Sequence, residues 1–366
     1  MTREIIISLD AMGGDYAPQI VIEGASIARE RLLDVKFIIF GDETKIAPLV
    51  TKYPLLKENC EIRHTDKTVS AEAKPGQALR RGRTSSMGLA IQSVKDGEAI
   101  AAVSAGNTGA LMAMGKFMLK TMPGIDRPAM TSLLPTSRGE SIMLDLGANV
   151  ECSEENLVQF AIMGAAFART VLGLSKPSVA LLNVGVEELK GNEVIKNADR
   201  MLRDANLPMN YTGFTEGHGL ANGYVDVVVT DGFTGNVALK TAEGTARMIA
   251  GMLKDALEDS IFSKIGYLFA KPALMGLKNH LDPNNHNGAV FLGLNGLVIK
   301  SHGSASAPGF ASAIGVAADM AAHDLLGKIS EDLKLFESHP EDESDEEKAD
   351  AAVLSVAGEE IKDKVI

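Results

Sequence analysis

The hydrophobic positions of the chain form short, nearly continuous apolar runs, and each run ends in a turn rich in Gly, Asn or Thr. Helical patterns of about 10–20 residues follow most of these turns. Unbroken apolar strands are typical of parallel sheets that are buried on both faces, and their alternation with helices indicates βαβ units. The clearest examples are "REIIISLD" before "AMGGD", "EAIAAVS" before "AGNTGA", "ESIMLDLGANV", "PSVALLNVG", and "YVDVVVT" before "DGFTGN". The pattern predicts one doubly wound α/β domain over residues 1–330.

Two segments depart from this alternation. A helical stretch at about residues 250–285 predicts an insertion in the domain. Residues 337–350, "ESHPEDESDEEKAD", hold eight acids and one lysine and carry seven of the twelve net negative charges. Because high charge and few large apolar groups oppose folding, we expect an acidic, disordered tail over residues 331–366. The remaining chain has no basic excess, so nucleic-acid binding is not expected.

Composition excludes several classes of protein. The chain has 366 residues, 45% of them hydrophobic, which is enough for a large core. No apolar stretch approaches the roughly 20 residues of a membrane helix, and "MTREIIISLD" carries charges where a signal peptide is apolar. Cys60 and Cys152 are too few for a disulfide framework and lack metal-site spacing. The sequence therefore predicts a cytoplasmic protein without a metal site.

Candidate chemistry lies in the turns that follow the strands. In open α/β sheets, ligands bind outside the carboxyl ends of strands, and helix N-termini there attract anions. Gly-rich turns let backbone amides approach a ligand closely. The first turn places Gly13 and Gly14 between Asp10 and Asp15. We expect these glycines to form part of an anion cradle built from several turns.

Other chemistries have weaker support in the sequence. There is no GxxxxGK[ST] motif for ATP, and "GHGLANG" at 217–223 is followed by a strand pattern instead of the helix that a dinucleotide loop opens. Asp10 lacks the second Asp, two residues later, of a haloacid-dehalogenase-type site, although metal ligation by Asp10 and Asp15 remains an alternative. Cys152 precedes a helix, where a thiol can become a nucleophile, but a lone Cys is more often a core residue.

Two polar side chains near strand ends fit an anion site better. Lys190 follows "VALLNVG" in the first turn of a helix, where its charge opposes the helix dipole, so a purely surface role is disfavoured. Asn236 ends the turn "DGFTGN". Lysine pairs with phosphate, and an amide can donate to a developing oxyanion. His218 and His302 lie in Gly-rich turns, where each can either donate a proton or stabilise the turn.

Together the turns resemble one family, the phosphate acyltransferases of bacterial membrane phospholipid synthesis, also called acyl-ACP:phosphate transacylases. The motifs that carry the resemblance are, in this order, "LDAMGGDYAP", "SAGNTGA", "RPAM", "LDLGANVE", "NVGVEELKGN", "TDGFTGNVALK" and "SHGSA". The similarity covers about residues 3–327. The family usually has His where this chain has Tyr16, so that side chain is not expected to be essential.

The resemblance implies a reaction in which acyl-acyl carrier protein and inorganic phosphate give acyl phosphate and free carrier protein. The acyl phosphate then passes to a membrane glycerol-3-phosphate acyltransferase, for phosphatidic acid synthesis. The resemblance also implies a homodimer and a three-layer αβα fold like that of the isocitrate/isopropylmalate dehydrogenases and phosphate acetyltransferase. Because phosphate is itself the nucleophile, no cofactor is expected.

With this reaction in mind, site residues can be assigned. Lys190 and Asn236 are the predicted catalytic residues, with Asn236 as the oxyanion donor. Asp10 and Asp231 are expected to orient donors, because carboxylates repel phosphate. The predicted substrate- and phosphate-binding residues are Asp10, Gly13, Gly14, Gly106, Asn107, Thr108, Asn149 and Asp231.

A basic cluster is a candidate contact for the acidic carrier protein. It consists of Lys74, Arg80, Arg81 and Arg83 in "KPGQALRRGRTSSM", and its alternative is a solvated loop and helix start.

Residues 260–280 are a second candidate contact. They hold Lys264, Lys271 and Lys278 at intervals of seven among bulky apolar residues. Pro272 predicts two shorter helices there. The segment is expected either to rest on a membrane surface, which makes the protein peripheral at the inner face of the membrane, or to form the dimer interface.

Two rival functions remain open at this point. One is a non-catalytic anion-binding regulator on the same scaffold, which turns over no thioester. The other is a decarboxylating dehydrogenase of the same fold, which binds a nicotinamide cofactor and a divalent metal.

Overall fold

The computed structural model describes residues 5–281 and 287–338 of the chain. Their strands are β1 (Ile5–Asp10), β2 (Val35–Gly41), β3 (Cys60–His64), β4 (Ala101–Ser104), β5 (Ala129–Thr136), β6 (Gly139–Leu144), β7 (Ser178–Leu182), β8 (Asn210–Thr215), β9 (Val227–Val229), β10 (Ala289–Leu292) and β11 (Leu297–Lys300). These strands form one sheet in the order β3-β2-β1-β4-β11-β10-β5-β6-β9-β7-β8.

Helices connect most of the strands. They are α1 (Gln19–Arg31), α2 (Glu43–Val50), α3 (Pro54–Lys57), α4 (Pro75–Arg81), α5 (Ser86–Lys95), α6 (Thr108–Leu119), α7 (Glu154–Val171), α8 (Glu193–Asp204), α9 (Gly217–Asn222), α10 (Gly232–Glu258), α11 (Ile261–Leu281), α12 (Ala307–Ala322) and α13 (Leu325–Glu337), with a 3₁₀ turn at Gly82–Thr84.

The sheet contains two groups of parallel strands that run in opposite directions. Strands β3, β2, β1, β4 and β11 are parallel, and so are β6, β9, β7 and β8. Between the groups, β10 pairs antiparallel with both β11 and β5, and β5 pairs antiparallel with β6. The carboxyl ends of the two groups therefore point in opposite directions along the strand axis.

Strands β2, β1, β4 and β11 of the first group are largely buried, as the apolar runs predict, whereas the edge strand β3 has no fully buried residue. In β1, Ile7 and Leu9 belong to one core cluster, whereas Ile6 packs against another. The first cluster includes side chains of α1, α7, α8, α12 and α13, and the second includes those of α4, α5 and α6. Because successive strand residues point to opposite faces, helices cover both sides of the sheet. The predicted three-layer αβα fold is confirmed.

The structure corrects three details of the sequence analysis. Pro272 lies inside the single helix α11, which it was expected to divide. Residues 331–337, assigned to the tail, are the last turns of α13, where the buried Asp332 pairs with Arg169. Residues 217–222, where His218 was expected to lie in a Gly-rich turn, form the short helix α9. Residues 339–366, the rest of the predicted tail, lie outside the described residues.

The predicted insertion at 250–285 begins within α10 and includes all of α11. Apolar side chains of these helices are exposed along much of their length. Within residues 5–281 and 287–338, no helix is both long enough and apolar enough to cross a membrane.

Candidate active site

The first turn of the site follows β1 and is organised by Asp10. This carboxylate is buried and accepts hydrogen bonds from the Ser104 hydroxyl (2.6 Å) and from the N–H of Met12 (3.2 Å). Burial raises the pKa of the Asp10 carboxyl, and the Ser104 and Met12 donors act in the opposite direction. Asp10 therefore joins the end of β1 to the end of β4.

Gly13 and Gly14 allow the turns to approach each other. A Cβ atom on Gly13 would lie 2.5 Å from Asp10 Oδ2 and 2.7 Å from the Gly106 nitrogen. Gly14 has φ of +104°, and a Cβ there would lie 2.9 Å from the Ala105 Cβ. Close contact between the turns therefore explains why glycine occupies both positions, in addition to any approach of these turns to a ligand.

The second turn follows β4 and opens α6. The Gly106 N–H donates to Ser104 Oγ (3.0 Å), so the same hydroxyl that binds Asp10 also fixes this turn. Asn107 caps α6 by accepting from the N–H of Ala110 (2.8 Å), and its amide donates to the carbonyl of Ala71 (2.6 Å). The side chain of Asn107 is therefore engaged within the protein. Thr108, the first residue of α6, is exposed.

The third turn follows β11, and its main residue was missed by the sequence analysis. Lys300 is buried, and its ammonium donates to the carbonyls of Ala105 (3.4 Å) and Ser301. Burial lowers the pKa of Lys300 to about 8, although the charges of Asp15 and Asp10 oppose that shift. The N–H of Asp15 donates to the Gly303 carbonyl (2.9 Å), which closes the turn of β1 onto the turn of β11.

A second group of turns lies at the carboxyl ends of β6 and β9. Asp145, directly after β6, accepts from the N–H groups of Met130 (3.0 Å), Ala148 (2.9 Å) and Asn149 (2.6 Å). Burial raises the pKa of its carboxyl, and these donors limit the rise. The amide of Asn149 donates to the Pro128 carbonyl (2.8 Å) and to Asp145 (2.9 Å). Asn149 is thus held inside this turn.

Asn236 lies where α10 begins against this turn. Asp231 caps α10 by accepting from the N–H (2.8 Å) and hydroxyl (2.7 Å) of Thr234. A Cβ on Gly147 would lie 3.5 Å from the Asn236 Cβ, so the two residues are neighbours. Asn236 is exposed, and its amide makes no hydrogen bond to any residue that the structure describes. That amide is available to a ligand.

Lys190 lies in the loop after β7 and is exposed. It precedes α8, which begins at Glu193, so the expected position in the first turn of a helix was wrong. Its N–H donates to the Glu187 carbonyl (2.9 Å), and its carbonyl accepts from the Asn183 amide (3.1 Å). Within the described part of the chain, the hydrogen bonds of Lys190 stay in its own loop. Its predicted contact with phosphate stays a prediction.

Helix α10 connects the two groups of turns. Asn236 and Lys240 are four residues apart, so they share one face of the helix. Lys240 and its ion-pair partner Glu243 are close enough to His302 for their charges to affect its pKa, which burial lowers. The beginning of α10 therefore reaches from the Asp145 turn towards the His302 turn. That both groups of turns act on one substrate stays a prediction.

Cys152 does not have the environment of a nucleophile. Burial raises the pKa of its thiol to about 12, and the charges of Asp145 and Asp231 act in the same direction. With Arg127 and Val194 it lines a cavity of about 530 Å³ at the start of α7. This thiol is protonated at neutral pH.

The predicted carrier-docking residues lie around α4. Lys74, Arg80, Arg81 and Arg83 are all exposed. Arg83 lies 4.8 Å from the centre of the Phe117 ring, and Arg80 donates to the Gly76 carbonyl (3.2 Å). The four cations are close together in the sequence, at positions 74–83, but no partner is present to test the docking prediction.

Of the three residues that organise these turns, Asp10 was selected by the sequence analysis, Asp145 could have been found from a similar signal, and Lys300 could not. Asp10 and Asp145 both stand in "LD" pairs at the end of an apolar run, and short acidic side chains commonly bind the backbone of the turn that follows. Lys300 ends the run "GLVIK", where a lysine is ordinarily a solvated strand end. Its burial depends on the distant turns of β1 and β4.

Comparison with known proteins identifies the family. A family model described as "Fatty acid synthesis protein" matches residues 5–328. A phosphate acyltransferase from Parvibaculum lavamentivorans is 59% identical over 91% of this chain and 92% of the relative. One from Paramagnetospirillum magneticum is 53% identical over 93% of this chain and 98% of the relative.

Solved structures agree at the level of fold. A phosphotransacetylase, EutD, from Staphylococcus aureus superposes with a TM-score of 0.56 at 18% identity, over 88% of this chain and 95% of that chain. A phosphotransacetylase from Streptococcus pyogenes gives the same TM-score and identity over 88% and 94%. At this identity the likeness concerns the fold alone. From the family model and the curated relatives together, the chain belongs to the phosphate acyltransferase family and is an acyltransferase.

Proposed function

We propose that this acyltransferase moves a fatty acyl group from acyl-acyl carrier protein to inorganic phosphate and so makes acyl phosphate for phosphatidic acid synthesis. The observation that carries the proposal is the meeting of three turns at Gly13 and Gly14. The carboxyl ends of β1, β4 and β11 converge there, next to a buried cation. Such a place suits a small anion. The names of the relatives support phosphate as the acceptor.

The reaction needs no redox step and no energy carrier. A phosphate oxygen attacks the thioester carbonyl carbon, and a tetrahedral oxyanion forms. The carbon–sulfur bond then breaks, the acyl carbon keeps its new bond to phosphate oxygen, and the proton of hydrogen phosphate goes to the carrier thiolate. The protein contributes positioning and stabilisation of the oxyanion.

The roles of two residues follow from their surroundings. Asn236 offers an exposed amide beside Gly147, which fits a donor to the oxyanion. Lys190 offers an exposed ammonium on a neighbouring loop, which fits a partner for phosphate. Cys152, with its raised pKa, does not fit the formation of an acyl-enzyme. We therefore propose direct transfer, with Lys190 and Asn236 as the catalytic residues.

The remaining parts of the proposal concern partners. The acidic carrier protein docks on the cluster of Lys74, Arg80, Arg81 and Arg83. The chain is a homodimer in the cytoplasm, and it meets the inner face of the membrane, or a membrane glycerol-3-phosphate acyltransferase, when it delivers its product. The exposed apolar side chains of α10 and α11 support an interaction surface of this kind.

One assay tests the reaction. The purified chain is incubated with acyl-acyl carrier protein, with and without inorganic phosphate, and acyl phosphate and free carrier are measured by mass spectrometry. We expect equal amounts of both products, and only when phosphate is present. Asn236→Ala should reduce the rate by about 10²-fold or more, as expected for a lost oxyanion donor. Thioester loss that does not depend on phosphate would contradict the proposal. No thioester loss at all would also contradict it and would favour the regulatory alternative.

A further inference from the structure

Lys300 combines deep burial with a position directly beneath the convergent turns. The residue is 9% exposed, and its ammonium lies between the turn after β4 and the turn after β11. The β11 turn is itself well held, because the buried Asn287 accepts from the His302 N–H (2.9 Å) and donates to Ser301 Oγ (2.8 Å). Lys300 thus extends from a rigid part of the fold.

The charge of this lysine is only partly compensated. Its acceptors among the described residues are two carbonyls, and no described carboxylate lies within ion-pair distance. Asp10 and Asp15 act on it electrostatically from farther away. An ammonium has three N–H groups, so one is left over after the two carbonyls. Burying a cation without an ion-pair partner is costly, and an anion above the turns would offset that cost.

We propose that Lys300 is a positioning residue for phosphate, which ties the turn at Ala105 to the turn at Ser301 and supplies the fixed positive charge beneath them. This inference rests on the proposed function, since it assigns the phosphate acceptor to the turns of β1, β4 and β11. Gly14 lies against Ala105, whose carbonyl accepts from the Lys300 ammonium, so the turn of the paired glycines borders the site that Lys300 supports. The anion is recognised there through backbone amides over a buried cation.

The test compares Lys300→Met, which keeps the length of the side chain and removes its charge, with Lys95→Met at an exposed lysine in the last turn of α5. The unmodified chain is first shown to make acyl phosphate, because failure at that step refutes the proposed function and not the role of Lys300. For Lys300→Met we expect KM for phosphate to rise at least tenfold. KM for the acyl donor should stay within twofold, and kcat at saturating phosphate should fall less than threefold.

A residue with only a structural role would give a different pattern. It would lower kcat and the melting temperature together and leave KM for phosphate unchanged, and that result would overturn the inference. Lys95→Met should match the unmodified chain in all four quantities.

A second measurement requires neither enzymatic activity nor a folded variant. Binding of sulfate, which keeps two charges from pH 7 to 9, is measured by calorimetry on the unmodified chain. Lys300 has a pKa of about 8, so it is largely charged at pH 7 and largely neutral at pH 9. We expect sulfate affinity to fall up to tenfold as pH rises through this range.

The other titratable groups that act on Lys300 are Asp10, Asp15 and His302. The pKa of His302 is lowered, so its imidazole stays neutral from pH 7 to 9. Where Lys300→Met folds, its sulfate affinity should be weaker at pH 7 and should not change with pH. Sulfate affinity that is constant from pH 7 to 9 in the unmodified chain would overturn the inference.

Discussion

Replacing Gly13 with Ala adds one methyl group where three turns meet. The new Cβ would lie 2.5 Å from Asp10 Oδ2, 2.7 Å from the Gly106 nitrogen and 3.0 Å from the Gly106 Cα. None of these atoms can move easily. Asp10 is held by Ser104 and by the Met12 N–H, and the Gly106 atoms belong to a backbone whose N–H is bound to Ser104. The backbone of both turns must therefore shift.

The size of the effect follows from these contacts. Overpacking of a tight site costs about 1–3 kcal/mol, and each kcal/mol lowers the melting temperature by about 2–4 °C in domains of 150–250 residues. In this larger chain we expect a decrease of a few degrees. The effect on activity should be larger, because a shift of a few tenths of an ångström moves the backbone amides of the proposed anion site. We expect kcat/KM for phosphate to fall at least tenfold.

The matched control is Gly315→Ala in α12. A Cβ at Gly315 meets no atom within 4 Å, and the residue lies inside a helix. Alanine there should stabilise the chain by up to about 1 kcal/mol, through helix propensity alone. Thermal unfolding and phosphate-dependent initial rates are measured for both variants. If Gly13→Ala behaves like Gly315→Ala in both measurements, the argument for tightly packed turns at Gly13 is wrong.

Two further predictions concern the chemistry. Lys190→Ala should raise KM for phosphate at least tenfold. It should leave the melting temperature within about 1 °C, because an exposed side chain contributes little to stability. Unchanged phosphate dependence would remove Lys190 from the site. Cys152→Ser should keep most of the activity, since the pKa of the thiol is raised to about 12, and detection of an acyl group on Cys152 by mass spectrometry would instead indicate an acyl-enzyme.

The local elements of the fold could be predicted because their signals are local. Apolar runs buried on both faces predicted the strands of the sheet, and helix caps such as Asn107 and Asp231 belonged to the polar turns that the sequence analysis selected. The direction of strands β5 and β10 could not be predicted, because antiparallel pairing with β6 and β11 depends on contacts between distant segments. The sequence analysis therefore treated all strand ends as one edge.

That difference changes how the candidate site is understood. The structure gives two groups of turns at strand ends that point in opposite directions, where the sequence analysis expected one cradle. Asp10, Gly13 and Gly106 belong to one group, and Asn149 and Asn236 belong to the other. Helix α10 is the element that links them, since it begins at the second group and carries Lys240 towards the first.

Dependence on distant contacts also explains why the end of α13 was not predicted. Residues 331–337 contain acids next to the acidic segment, so local composition assigned them to the tail. The structure buries Asp332 in α13, where it forms an ion pair with Arg169 of α7. A carboxylate that is paired in the core cannot be distinguished by composition from one in solvent.

Helix α11 exposes a stripe of apolar side chains, and the remaining prediction concerns the surface that this stripe contacts. Ile261, Phe262, Ile265, Leu268 and Phe269 are all exposed, and Phe269 is 81% exposed. At 100° per residue these five side chains share one side of the helix. Lys264 and Lys271 lie at one edge of the stripe, where their stems can pack against apolar surface while the ammonium groups reach outward. The stripe fits a bilayer surface or a second copy of the chain.

Replacing Leu268 and Phe269 with Glu distinguishes these two partners. On a membrane, exposed apolar side chains give weak binding, and each lysine near anionic lipid adds about 1 kcal/mol, which salt screens. We therefore expect weak binding to anionic vesicles that decreases with salt in the unmodified chain, and still weaker binding in the double variant. The variant should keep the proposed dimer, as measured by light scattering, and should remain active on acyl-acyl carrier protein in solution. The matched control, Lys240→Gln, lies on α10 outside the stripe and should bind vesicles like the unmodified chain. If the double variant dissociates into monomers, the stripe is the dimer interface, because burying two carboxylates from each copy is costly. The membrane interpretation is then wrong.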